Sequence, residues 1–161
     1  MTATTPLRAA DLYHSGIVVD DFDGAAARLT AATGCSWTRP LEYTVAVRIW
    51  DAGGETVDVD MPFRVAFTVG APHLELVAAV PGTVWTETPG RAVHHLGYWV
   101  DDIAAAAAGL RRAGYTLEAA PADDTLHTFG YFIDPSGVRI EIVDRALFPD
   151  WPGFLAQLST S

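Results

Sequence analysis

Two stretches of this sequence, HSGIVVDDF at 14–22 and HLGYWVDDI at 95–103, share His, Gly, Val, Asp and Asp at one constant offset of 81 residues. A chain that repeats itself at such a spacing is read as two copies of one supersecondary unit. An alanine-rich stretch follows each copy, GAAARLTAATG at 24–34 and AAAAAGLRRAG at 104–114. Both end at Gly, the residue that most often closes a helix.

The repeat carries its own structural reading. Residues 14–19 and 95–100 are short and rich in β-branched and aromatic side chains, which predicts strands. The Asp-Asp pair after each suits a helix start, since a carboxylate caps free N–H groups and favours the positive end of the dipole. The alanine stretches are then helices. Further strands are expected at 44–50, 63–69 and 73–80 in the first half, and at 115–119, 128–133 and 138–143 in the second. The last strands also match, HLELV at 73–77 over RIEIV at 139–143. Each half reads β-α-β-β-β. The expected fold class is α+β, with two tandem modules (about 11–80 and 93–144) building one curved, partly open mixed sheet. One domain then spans 1–161, with a Pro- and Gly-punctuated linker at 81–92. The aromatic tail at 145–161 is expected to pack over one face or against a partner chain.

Charge narrows the partners. Twenty acids against ten bases leave a net charge of −10, so phosphate-rich nucleic acid and anionic lipid are repelled. No apolar run approaches the roughly 18–20 residues a membrane helix needs. The start of the chain lacks a basic segment followed by an apolar one, so no signal peptide is expected. The lone Cys35 has no internal partner, which fits a reducing cytoplasm.

Four residues stand at repeat-equivalent places: His14 with His95, and Glu75 with Glu141. Each His opens the first strand of a half, and each Glu sits midway along its last strand. Strands alternate with period two, so Glu75 and Glu141 point opposite the apolar residues beside them. An approximate two-fold axis would bring all four to one point. Two converging carboxylates repel without a cation between them. The set suits one divalent ion of the Zn, Ni, Co, Mn or Fe type.

These modules, with His-x-Gly-x-x-Val-Asp-Asp and apolar-Glu-apolar-Val, resemble the vicinal oxygen chelate superfamily of glyoxalases, epimerases, ring-cleaving dioxygenases and bleomycin-resistance proteins. The text around VAFTVG at 65–70 and HHLGYWVDD at 94–102 is most similar to the methylmalonyl-CoA epimerase-like branch. That branch has Gln as its second ligand where this chain has Glu75. Glyoxalase I, with His, Glu, His and Glu, is the better likeness there. The resemblance implies a substrate held through two neighbouring oxygens and a base beside it. It also implies a frequent homodimer.

The base expected from the glyoxalase likeness is Glu141. The epimerase likeness implies a further carboxylate on the strand before the second ligand, for which Asp60 is the candidate and Asp58 its neighbour on the same face. His127 is a candidate substrate contact. Trp50, Phe67, Trp99 and Tyr131 are candidate pocket walls, with Tyr98 and Phe132 as further aromatic surface. His73 shares a face with Glu75 and could support it. His94 precedes a ligand and is expected to point away from the site. Three functions follow: a metal-dependent isomerase, epimerase or lyase acting on a fairly apolar small molecule or thioester; an Fe(II) ring-cleaving dioxygenase; and a metal-free ligand-binding or resistance protein.

Overall fold

The two copies fold as two four-stranded units whose edges meet on both sides. In the computed structural model, which describes residues 5–159, the first unit contains β1 (Leu12–Val19), α1 (Phe22–Thr33), β2 (Leu41–Trp50), β3 (Thr56–Phe67) and β4 (Leu74–Ala78). The second contains β5 (His95–Val100), α2 (Ile103–Arg112), β6 (Thr116–Pro121), β7 (Phe129–Ile133) and β8 (Arg139–Asp144). A last helix, α3 (Trp151–Ser159), ends the described chain. The expected repeat is therefore present element for element.

The strands run β1-β4-β3-β2-β6-β7-β8-β5 and close into a barrel. The first strand of each unit lies parallel to the last, β1 to β4 and β5 to β8. Two antiparallel seams join the units. In one, His14 pairs with Gly97 and Gly16 with His95. In the other, residues 47–49 of β2 pair with 119–121 of β6. The curvature expected of the sheet thus goes as far as closure. The second seam is short, and the remaining length of the β2–β3 hairpin extends beyond it.

The helices start where the paired acids predicted. The second Asp of each pair is the cap: Asp21 accepts from the Gly24 N–H and Asp102 from the Ala105 N–H. Gly34 closes α1 with a φ of 73°, a left-handed conformation that costs glycine nothing. Phe22 and Ala25 of α1 pack on Ala66 and Leu76, while Ala106 and Leu110 of α2 pack on Phe132, Ile140 and Ile142. The apolar neighbours of both glutamates therefore face the helices, and the opposite face of each strand looks into the barrel. Burying such a side chain stabilises by roughly 1.5–3 kcal/mol, which fixes the strand phase and leaves the glutamates inside. No described helix is long and apolar enough to cross a membrane.

The tail packs on its own barrel. Asp150 caps α3 by accepting from the Gly153 N–H, Leu155 and Leu158 are buried, and the Leu158 carbonyl accepts from Arg39 N–H.

Candidate metal centre

The two histidines and two glutamates meet at one point inside the barrel, all four from the same chain and all buried. Their converging atoms are His14 Nε2, His95 Nε2, Glu75 Oε2 and Glu141 Oε2. The His nitrogens are 3.0 Å apart. His14 lies 3.3 Å from Glu75 and 3.1 Å from Glu141, and His95 lies 3.0 Å and 3.4 Å from the same two. Ligands about 2.0–2.2 Å from a shared ion have neighbouring donors roughly 3.0–3.5 Å apart, so these separations fit one ion.

The glycine of each repeat makes the convergence possible. A β-carbon on Gly16 would overlap the edge of the His95 ring, and one on Gly97 the edge of the His14 ring. Because the seam is antiparallel, the glycine of each half seats the histidine of the other. The sequence displayed the His-x-Gly motif, but its role required the cross-strand register.

The electrostatics also call for a cation. The four donor atoms lie within 4.8 Å of one another, and two bare carboxylates at that distance repel by about 3.5 kcal/mol at an effective dielectric of ~20. Burial disfavours a charged His14, but the Glu75 charge and hydrogen bonds with both glutamates outweigh it and raise its pKa to about 9. His95 is raised in the same way, burial opposed by hydrogen bonds to Glu141 and Glu75. Burial acts to raise both carboxyls, yet the histidines hold Glu75 and Glu141 below their ordinary value. Without an ion, protons shared among the four groups offset part of the carboxylate charge. Glu141 Oε2 is buried close to both histidine nitrogens but aligned for a hydrogen bond with neither. A dication coordinated by neutral imidazoles would replace those protons and use that oxygen, so the residues fit a metal.

Access is from the carboxylate side. A cavity of 530 Å³ opens on Glu75 and Glu141, walled by Tyr13, Tyr43, Val65, Phe67, Phe148, Trp151 and Phe154. A small inner pocket with Phe63, Trp85 and Tyr131 continues past the same two glutamates. Neither lining contains Lys or Arg. Tyr43 borders both, and burial together with the two glutamates pushes its phenol well above its ordinary value.

The sequence candidates divide by strand phase. Phe67 and His127 line the main cavity and Tyr131 the inner pocket. His127 is at the rim, held by Thr128 and Asp123. Trp99 lies behind the wall, stacked on Tyr13 with ring centroids 3.6 Å apart. Trp50 is a correction. It lies on the opposite face of β2 from Tyr43 and Val45 and borders a separate surface pocket with Thr116 and Glu118. Asp60 is also corrected, because Met61 and Phe63 take the inward positions of β3 and leave it exposed outside. Asp58, on that outer face, pairs with Arg48. Tyr98 and Phe132 face α2. His73 donates to the Thr68 carbonyl rather than supporting Glu75.

Tyr13 and Tyr43 escaped sequence reasoning, as did the contact of His94 with the site and the place of the tail aromatics at the cavity. A β-bulge between Leu12 and His14 lets Tyr13 border the cavity beside His14, and bulges leave no reliable sequence mark. His94 does not simply point away. It lies behind His95, with their Nδ1 atoms 3.0 Å apart and its Nε2 2.7 Å from the Val84 carbonyl. Burial and neighbouring His95 push it down to about 3.

A family model described as Glyoxalase/Bleomycin resistance protein/Dioxygenase superfamily matches residues 13–132. The fold is similar to that of methylmalonyl-CoA epimerase from Mycobacterium tuberculosis, at 22% identity over 89% of this chain and 92% of that one, with a TM-score of 0.59. A Streptomyces coelicolor methylmalonyl-CoA epimerase in complex with 2-nitronate-propionyl-CoA gives 19%, 83%, 96% and 0.53 for the same measures. A hypothetical protein from Bacillus halodurans gives 15%, 83%, 92% and 0.52. At these identities the likeness is one of fold. No curated protein matches the sequence.

Proposed function

The chain belongs to the Glyoxalase/Bleomycin resistance protein/Dioxygenase superfamily, and we propose that within it this protein is a metal-dependent isomerase, epimerase or lyase that removes a proton next to a carbonyl. One observation carries the reading: among the described residues, the only carboxylates lining the cavity are Glu75 and Glu141 of the candidate metal set. With Asp58 and Asp60 outside the barrel, no separate acid is available as base. A divalent ion held by His14, Glu75, His95 and Glu141 would supply Lewis-acid stabilisation of negative charge on a substrate oxygen. Zn, Ni, Co, Mn and Fe all suit these donors.

The chain's own residues then have defined work. A carboxylate oxygen of Glu141 receives the proton, and Glu75 is its equivalent on the other side of the pseudo-two-fold. His14 and His95 stay behind the glutamates, away from the cavity. Phe67, Trp151 and Phe154 exclude water, which strengthens each charge interaction inside. His127 stands at the rim where a substrate would enter. With no Lys or Arg in the lining, the cavity suits a fairly apolar small molecule, or the apolar end of a thioester, better than a multiply charged one.

Fe(II) ring cleavage usually employs two histidines and one carboxylate with open positions, so the fourth donor counts against it. Metal-free binding would leave the converging donor set of His14, Glu75, His95 and Glu141 without a use. A cytoplasmic homodimer remains part of the proposal, although the site takes all four donors from one chain. Sedimentation would test the dimer.

The test is proton exchange in D2O, followed by NMR over a panel of α-hydroxyketones and acyl thioesters with metal content measured alongside. The wild type should exchange the α-proton of at least one class. Glu141→Gln should lower that rate by roughly 10²–10⁴-fold at equal metal content. Undiminished exchange after removal of the metal would sink the reading.

A further inference from the structure

The two repeats supply equivalent ligands but do not hold them equally. His94, buried just before β5, places Nε2 2.7 Å from the Val84 carbonyl oxygen. A carbonyl only accepts, so this nitrogen carries the ring proton. No carboxylate is hydrogen-bonded to the His94 ring among the described residues, and Arg139 lies against its backbone carbonyl, so the neutral ring is favoured. A neutral imidazole has one N–H, which leaves His94 Nδ1 as an acceptor. Its partner is His95 Nδ1 at 3.0 Å, which must therefore donate. The other nitrogen of His95, Nε2, faces His14, Glu75 and Glu141.

His14 has no such support. Its Nδ1 is buried without a hydrogen-bond partner. The residue in the position corresponding to His94 is Tyr13, whose ring stacks on Trp99.

We propose that His94 is a positioning residue: the chain Val84 carbonyl–His94–His95 fixes His95 with its proton on Nδ1 and presents Nε2 to the metal. This rests on the reading that the four residues bind an ion. Outer hydrogen bonds of this kind set both the tautomer and the ring orientation of a ligand histidine. The relay makes His95 the fixed ligand of the set and leaves His14 the adjustable one.

The experiment is Zn2+ affinity by chelator competition for wild type, His94→Leu and His94→Gln, with ¹⁵N NMR of the histidine rings in the zinc-loaded proteins. His94→Leu should bind Zn2+ about 10–100-fold more weakly. His94→Gln, whose amide can donate to Val84 and accept from His95, should recover to within about threefold, a rescue that lost packing alone does not predict. The wild-type spectrum should show His95 protonated at Nδ1 and metal-bound through Nε2. That spectrum decides the tautomer even if His94→Leu fails to fold. His95 bound through Nδ1, or wild-type affinity in a folded His94→Leu, overturns the proposal and leaves the metal reading intact. A wild type that binds no Zn2+, Ni2+, Co2+, Mn2+ or Fe2+ overturns both.

Discussion

The imidazole of His95 occupies the space that a β-carbon on Gly16 would fill, and the two residues face each other across the seam between the halves. Gly97 stands in the same relation to His14. A methyl group at either position must displace a ring, because the clash is with the ring itself rather than with a flexible chain end.

Gly16→Ala and Gly97→Ala should therefore each weaken Zn2+ binding by more than tenfold, with an overpacking cost of about 1–3 kcal/mol in the fold. Gly70→Ala is the control, since open space surrounds that position. Competition with a chelator reads the affinity, and thermal melts read the fold. Wild-type affinity in both seam variants would remove the glycines from the site.

The metal-free protein should lose stability as the medium turns alkaline. His14 is raised from 6.5 to about 9 by its glutamates, with burial opposing, so the stability it contributes is complete below about pH 6.5 and disappears as pH rises through about 9. Glu75 and Glu141 are held low, so their contribution is present above about pH 4.5 and fades as acid protonates them. Metal binding must expel the histidine protons. Calorimetry in two buffers at neutral pH should detect about one to two protons released per ion, with affinity rising toward pH 9. A pH-independent affinity would contradict the charge balance described above.

Asp60→Asn should leave metal affinity and proton exchange unchanged, because the side chain lies outside the barrel. Exposed polar substitutions usually stay within about 0.5 kcal/mol. A hundredfold loss of exchange would mean that the hairpin turns Asp60 inward during turnover.

Trp151 touches the rings of Tyr13, Phe67, Trp99, Phe148 and Phe154. Trp151→Ala should open the cavity wall and weaken binding of an apolar dye such as Nile red by roughly tenfold, about 1.4 kcal/mol. Zn2+ affinity should stay within twofold. Equal losses of both would tie the helix to the metal rather than to the ligand.

What could be read from the sequence was whatever has a period. Glu75 between Leu74 and Leu76, and Glu141 between Ile140 and Ile142, announce their facing because strands alternate. The offset between the halves then pairs them. Asp60 was misplaced by the same rule: Met61, Phe63, Val65 and Phe67 set the inward phase of β3, and Asp60 is out of step with them. Trp50 is likewise out of phase with Tyr43, Val45 and Val47 of β2. The tail helix is hard to see in the sequence because Pro152 and Gly153 resemble breakers. Pro152 lies in the first turn, where its missing N–H costs nothing, and the Asp150 cap is the signal that could have found it. His94 and Tyr13 depend on a neighbouring carbonyl and on a bulge, and neither follows from periodicity.

The helix α3 also has a consequence for the symmetry of the site. Two strictly equivalent halves would give Glu75 and Glu141 the same surroundings. One half alone is followed by α3, so Phe148, Trp151 and Phe154 flank the cavity without counterparts. The tail therefore makes the two carboxylates unequal, since an aromatic wall stands over the pair with nothing to balance it on the first half.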